Sequence, residues 1–346
     1  MPLYRHLSLL RQQAGVSLVK PLLGLLAVAA ILAVAAWWWT RQPLALPAGV
    51  QGVNVVLPAG STARAAAQAV VNAGVGTSSS ALYWFFRASG KSGALKAGTY
   101  EVEQGDTPQN LLAKLFGGVQ ALRSVTMVEG WNIRQLRAAL AKAEFLKPDT
   151  QALSNDALMA KLGRPGVHPE GRFFPDTYSY AKGSSDIVVW QAAMRAMDKQ
   201  LAAAWEARQA DTPLNTPDQA LILASIIEKE TGKPTDRPEI GGVFSNRLRI
   251  GMRLQTDPTV IYGLGERFDG DIRKRDLQTD TPYNTYTRGG LPPTPIAMPG
   301  KASLLAAVQP ANTKAIYFVA RGDGSSQFSA TLAEHNNAVN KYIRGQ

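Results

Sequence analysis

Thr216 to Gly232 reads TPDQALILASIIEKETG, and this stretch decides what kind of domain the chain builds. Thr216 can cap a helix, Pro217 suits its first turn, and Gln219 completes a capping box. Gly232 is expected to close it as a left-handed C′ residue. Between the caps, Ala220 to Ile227 is apolar on every face except at Ser225. A helix apolar all round is buried. Glu228 and Glu230 nevertheless occupy its last turn, where the macrodipole disfavours negative charge. A local rule broken in this way marks a candidate functional site.

At about 100° per residue the two acids lie roughly 200° apart, so they cannot face one substrate together. Glu230 continues the bulkier stripe of Leu223, Ile226 and Ile227, whereas Glu228 stacks over Leu221, Ala224 and Ser225. Desolvation and the helix C-terminus both raise the pKa of Glu230, the direction a general acid needs. The bland alternative is a frayed end with two solvated acids and Lys229 as their partner.

Working outward, Glu239–Arg249 is helical by pattern, and Arg247, Arg249 and Arg253 read as a solvated or anion-facing edge. LQTDPTVIYG, Leu254 to Gly263, gathers Gln255, Thr256, Asp257 and Tyr262 into a short loop–helix stretch. Tyr283 to Gly300 is too rich in proline and glycine for helix or central strand, and a rigid irregular segment of this kind shapes a cleft. Ala315–Ala320 is strand-like. Before the opening helix, Ile187–Arg208 is a long core helix. EGRFFPDTYSY, Glu170 to Tyr180, is expected as an ordered surface loop; its rings suit stacking on sugars, and core packing of Phe173 and Phe174 explains them equally well. Arg123–Val128 reads as a strand, and Ile133–Ala143 and the region from Asp156 to Leu162 read as helices.

The N-terminal third has a different character. PLLGLLAVAAILAVAAWWWT fills the interval between Lys20 and Arg41 without a charge. Twenty helical residues span about 30 Å, the hydrocarbon thickness of a bilayer. Trp37 to Trp39 form an interfacial belt, and Arg5, Arg11 and Lys20 precede the span, which places residues 1–20 in the cytoplasm and the rest outside. A cleaved signal peptide is the competing reading, but bulky tryptophans follow the apolar run where a small-residue cleavage site is needed. A Pro/Ala linker, residues 41–50, comes next. Val53–Leu57 is a strand, Ser61 or Thr62 caps a helix to Asn72, Ser80 caps a second through Ala88, and Thr99–Glu103 is a returning strand. This order resembles a LysM-like carbohydrate-binding module over residues 51–118; a structural spacer explains it equally. Asp106-Thr107-Pro108 starts a helix that ends near Gly117-Gly118.

With 346 residues, 45% of them hydrophobic, the chain has ample core for more than one domain. The absence of cysteine excludes disulfides and thiolate chemistry, and His6, His168 and His335 are too scattered for a ligand cluster. No metal and no cofactor are expected. The net charge of +11 suits nucleic acid, anionic lipid or an anionic wall polymer. No nucleic-acid motif occurs, and the topology argues against that partner.

Several stretches together resemble the YceG-like family of endolytic murein transglycosylases: ASIIEKET (Ala224–Thr231), NRLRIGMRLQTDPTVIYG (Asn246–Gly263), YNTY (Tyr283–Tyr286), GLPPTPI (Gly290–Ile296) and GRFFPDTY (Gly171–Tyr178). Met298 departs from the small or polar residue expected there and is read as a rim contact. The resemblance implies a mixed α+β catalytic domain over residues 119–346 with a central buried helix. The implied reaction is a lyase cleavage of nascent peptidoglycan at internal MurNAc–GlcNAc bonds, leaving 1,6-anhydro ends. Glu230 is the implied catalytic residue. Gln255, Asp257, Asn284 and Tyr286 are implied sugar-orienting groups, and Glu170, Glu228 and Tyr283 complete the candidate substrate-binding set. Peptidoglycan glycan strands, inner-membrane lipid and peptidoglycan synthases are the implied partners, with a single-pass anchor in the inner membrane and a periplasmic catalytic domain. The rivals are a silent wall-binding scaffold and a hydrolytic muramidase. The latter needs a second carboxylate about 5–9.5 Å from Glu230, with Glu170, Glu228 and Asp257 as candidates.

Overall fold

The computed structural model describes residues 19–90 and 95–345. Arg5, Arg11 and most of the expected cytoplasmic stretch lie outside the described residues. The chain divides into two compact units, Met1–Ala121 and Leu122–Gln346.

The first unit opens with α1 (Val19–Trp39), whose segment Leu22–Trp39 has a mean hydropathy of 2.2 and is nowhere buried. This helix is long and apolar enough to cross a membrane. Then follow β1 (Gly52–Leu57), α2 (Ala63–Asn72), α3 (Ser79–Ala88), β2 (Gly98–Glu103) and α4 (Pro108–Gly117). The two strands pair antiparallel from Gly52↔Glu103 to Leu57↔Gly98. Their inward residues Val55, Leu57 and Tyr100 meet Ala66, Val70, Leu82, Phe86, Leu111 and Leu115 in one core.

Thr62 caps α2 and Thr107 caps α4. Helix α3 is capped by Ser78, two residues before Ser80, because Ser78 has the extended backbone whose hydroxyl reaches Ala81 N. Helix α4 ends at Gly118 in the left-handed conformation, φ 74°. The stretch expected as a linker is part of this unit. Leu44 is buried and its N–H donates to Asp106 O, and Gly76 N–H donates to Ala45 O.

In the second unit, β3 (Leu122–Thr126) pairs antiparallel with β4 (Thr177–Ala181), and α5 (Ile133–Ala141) and α6 (Asn155–Lys161) lie between them in sequence. Strand β4 and the packing of Phe173 correct the expected surface loop. Phe173 is fully buried, its ring 4.6 Å from that of Trp190. Met298, expected at a rim, is likewise fully buried in this cluster. An unbranched apolar side chain can fill such an irregular gap. The long α7 (Ile187–Glu206) joins two cores: Val189, Trp190 and Ala193 pack with Phe173, while Met197, Leu201 and Ala204 pack with the next helices.

Those helices are α8 (Pro217–Glu230) and α9 (Arg237–Arg249), followed by α10 (Asp257–Leu264), α11 (Lys274–Gln278) and α12 (Lys301–Val308). A hairpin of β5 (Tyr317–Ala320) and β6 (Ser326–Ser329) then leads into α13 (Leu332–Val339), which runs on as a π-helical turn to Arg344. The architecture is mixed α+β, its strands in two-stranded antiparallel pairs among the described residues.

Helix α8 is the centre of the second core: every residue from Ala220 to Ile227 is buried. Its lone polar member is satisfied, since Ser225 Oγ donates to Ile222 O at 2.7 Å and accepts from Ile296 N at 3.0 Å. The caps differ from expectation. Thr216 accepts from Gln219 N, but Gln219 Oε1 accepts from Asn215 N, one residue outside a capping box. At the other end Thr231 is extended (φ −146°, ψ 135°), and Gly232 does not take up the left-handed C′ role. Helix α12 packs on both α8 and α9. At Gly241 the approach of α9 and α12 is so close that a Cβ would lie 2.3 Å from Ala306 O.

Candidate active site

Glu230 stands where α8 ends, part-buried at a cavity of about 530 Å³. That volume falls within the roughly 300–1,000 Å³ usual for small-molecule sites. Burial pushes its carboxyl up to about 7, against the opposing pull of a hydrogen bond from Thr256 and the charge of Arg247; Asp257 adds a push upward. Desolvation outweighs the bond, so the group can hold or release a proton near neutrality.

The floor beside Glu230 is built by the turn that starts α10. Gln255 takes a left-handed backbone, φ 47°, which is strained for a residue with a side chain. Its N–H donates to Thr285 O at 3.2 Å, and Thr256 N–H donates to Thr285 Oγ1 at 3.0 Å. Thr259 Oγ1 completes this buried hydroxyl network, 2.9 Å from Thr285 Oγ1. Thr256 begins α10 yet gives that helix no side-chain cap. Its Oγ1 donates to Glu230 Oε1 instead. Asp257, next in the chain, accepts from Tyr286 OH at 2.5 Å.

Gln255, Asp257 and Tyr286 therefore line the cavity together with Glu230. The other sequence candidates do not line it. Glu228 points away: its Oε2 accepts from Gly300 N at 2.9 Å and its Oε1 from Arg237 at 3.3 Å, with the side chain only 5% exposed. A carboxylate beside Gly300 suits the N-terminus of α12, which explains an acid at the C-terminus of α8. Glu170 is fully buried. Both of its oxygens accept from Ile133 N, at 3.0 and 3.2 Å, and Tyr262 OH donates at 3.0 Å. Burial raises it also to about 7. Tyr283 bonds Thr294 at 2.8 Å and packs edge-on against Tyr262. Asn284 is buried, its amide donating to Asp276, Leu277 and Thr279 carbonyls while its Oδ1 accepts from Tyr286 N. These four are bonded to other protein groups and do not line this cavity.

Sequence reasoning missed the opposite wall. Arg247 is buried, not part of a solvated edge. Its Nε donates to Ile316 O at 2.7 Å and Nη1 to Leu254 O at 2.6 Å, and Nη2 has no acceptor among the described residues. The signal was present: Ile240, Val243, Phe244 and Arg247 follow helical spacing, so the arginine continues an apolar stripe. Tyr317 and Phe318 of β5 and Leu332, His335 and Asn336 of α13 also line the cavity. His335 stacks on Tyr317 at 5.1 Å, and burial together with Arg247 lowers its pKa. No pattern in the sequence ties these C-terminal residues to Glu230.

One neutral-range carboxyl in a polar and aromatic cleft, held by a hydroxyl and facing a buried cation, has the parts of a general acid–base site. The YceG-like family's sequence model matches residues 55–341, and the chain belongs to that family. It is 34% identical over 317 residues to an endolytic murein transglycosylase of Bacillus subtilis, covering 84% of this chain and 85% of that protein. It is 26% identical over 327 residues to an endolytic murein transglycosylase of Streptococcus pneumoniae, covering 85% of this chain but 59% of that longer relative. A crystal structure of a YceG-like protein from Listeria monocytogenes superposes with a TM-score of 0.52 at 29% identity, covering 83% of this chain and 99% of that one.

Proposed function

We propose that this chain is a membrane-anchored endolytic murein transglycosylase in which Glu230 is the single acid–base group. The observation that carries the reading is the Glu230 carboxyl, raised to about 7 at a cavity. The relatives' activity fits that geometry. Protonated Glu230 gives its proton to the glycosidic oxygen between MurNAc and GlcNAc as the C1–O bond breaks. The C6 hydroxyl of the same MurNAc bonds to C1, and the Glu230 carboxylate takes the hydroxyl proton. The carboxyl is regenerated, no water is consumed, and a 1,6-anhydro end results. An ordinary glycosidase needs a second carboxylate to act as base or nucleophile; here the substrate supplies the nucleophile.

Gln255, Asp257 and Tyr286 orient the sugar, and Thr256 fixes the Glu230 rotamer. Helix α1 serves as a single-pass inner-membrane anchor, with the basic N-terminal residues inside and the catalytic unit in the periplasm. There it meets nascent glycan beside the synthases and ends strand elongation. The strand–helix–helix–strand arrangement between Gly52 and Glu103 supports a LysM-like module that binds the same polymer.

Asp257 shares the cavity with Glu230, which favours a hydrolytic muramidase as the second reading. Digestion of purified glycan strands followed by mass analysis decides between them. Anhydro ends support the lytic reaction, ends heavier by one water require hydrolysis, and no cleavage leaves a binding scaffold.

A further inference from the structure

Between the end of α1 and Glu101 the sequence carries five Lys or Arg, at 41, 64, 87, 91 and 96, and no Asp or Glu, while all 26 acidic residues lie from Glu101 onward. The acid-free stretch continues for sixty residues beyond the apolar helix α1, through α2 and α3 to Glu101. Neutral solubility does not require such segregation. A surface that meets negative charge is favoured by it.

The fold joins this basic segment to the end of α1. Trp39 packs edge-on against Phe85 of α3, ring centroids 6.0 Å apart, and Gln109 N–H donates to Thr40 O at 3.2 Å. Trp84 directly precedes Phe85 in sequence and is 64% exposed. Ser80, Trp84, Arg87 and Ala88 are all exposed and fall on one side of α3, opposite the buried Leu82 and Phe86. Tyr83 flanks Trp84, ring centroids 5.2 Å apart, and the guanidinium of exposed Arg64 lies 4.5 Å from the Tyr83 ring centroid. At the end of α1, Arg41 covers Trp37 at 4.0 Å. Aromatic rings beside arginines are the chemistry of a headgroup layer, which is only roughly 5–8 Å deep on each side of the hydrocarbon.

We propose that the exposed face of α3, centred on Trp84 and flanked by Arg64 and Arg87, docks on the acidic phospholipid surface of the bilayer that α1 crosses. This rests on the reading of α1 as a membrane anchor. A small patch of this kind binds lipid weakly by itself, but the covalent link to α1 makes the docking intramolecular and supplies a high effective concentration. The module is thereby held against the membrane.

The cysteine-free chain permits single labels, at Ala88→Cys on the α3 face and at Val28→Cys within α1. The full chain is placed in nanodiscs of phosphatidylcholine with or without phosphatidylglycerol, and quenching by doxyl-labelled lipid is measured. Docking predicts quenching at both positions in acidic discs. With Arg64→Glu and Arg87→Glu together, the docked-to-free ratio at position 88 should fall by at least about tenfold, while position 28 is unchanged. Trp84→Ala and removal of acidic lipid should act in the same direction. Quenching at 28 without quenching at 88 overturns the docking and leaves the anchor standing. Quenching at neither overturns both. A label at 88 that ignores lipid but responds to added glycan strands makes the face a sugar platform and also overturns the proposal.

Discussion

Thr256 gives its hydroxyl to Glu230 and not to the helix it begins. An N-cap threonine left without its cap bond sacrifices about 1 kcal/mol of helix stability, so the bond to Glu230 is the feature the local structure favours. Its donor stabilises the carboxylate and opposes the desolvation that raises Glu230 to about 7. Thr256→Val keeps the β-branched shape and removes the donor. The expected result is a higher Glu230 pKa, read as an alkaline shift of the descending limb of kcat/KM, with lower kcat.

Glu230→Gln should reduce anhydro-product formation by about 10²–10⁴-fold, because the amide cannot transfer the proton. Glu228→Gln, on a carboxylate bound to Gly300 N and Arg237, should leave much more activity. Glu228→Ala should instead destabilise the fold by about 1–3 kcal/mol, since it leaves a part-buried arginine and an amide unpaired. Parallel product assays and melts separate the two acids. An inactive Glu228→Gln beside an active Glu230→Gln would refute the assignment.

Stability should fall as pH rises. Glu170 and Glu230 both have folded pKa values raised to about 7 from 4.5. Between those limits the folded state binds more protons than the unfolded state, so their contribution is full below about pH 4.5 and lost by about pH 7. Glu230→Gln removes one titration, so the variant gains on the wild type by at most roughly 3 kcal/mol at neutral pH. Denaturant melts at pH 5 and pH 8 read the difference, and a wild-type curve flat across that interval would contradict the paired burial.

Arg247 holds Ile316 and Leu254 carbonyls from a buried position facing the cavity. Arg247→Lys cannot span the same acceptors and should cost about 2 kcal/mol of stability. Arg247→Gln also removes the charge that restrains Glu230, moving its pKa further up. The alkaline limb of the rate profile reports that movement.

Gly241 is the point where α9 meets α12, and a Cβ there would sit 2.3 Å from Ala306 O. Gly241→Ala must separate the helices that support α8, so a loss of about 1–3 kcal/mol is expected from overpacking. Thermal melting tests it, with Gly289→Ala, where nothing lies within 4 Å and φ is not left-handed, as the comparison without overpacking.

Much of this organisation is legible in the chain itself. The apolar run before Arg41 fixes a helix able to span a bilayer, because length and hydropathy need no tertiary partner. Alternating strand residues and capped helices fix the strand–helix–helix–strand order, with errors confined to caps such as Ser78, where adjacent serines compete for one role. Helical spacing sends Glu228 and Glu230 in different directions because 100° per residue is a property of the backbone alone.

What surrounds those acids was decided by the tertiary structure. Glu170 reads as a loop carboxylate, yet it is buried because Ile133 and Tyr262, distant in sequence, supply its donors. Asn284 belongs to a motif that suggests sugar contact, yet local carbonyls consume its amide. Arg247, Tyr317 and His335 come from three different elements and converge on Glu230 only when α9, β5 and α13 pack. Sequence carries periodicity and local hydrogen-bond preference, both short-range. The proton affinity of Glu230 depends on how much water long-range packing excludes, and that is settled only in the folded molecule.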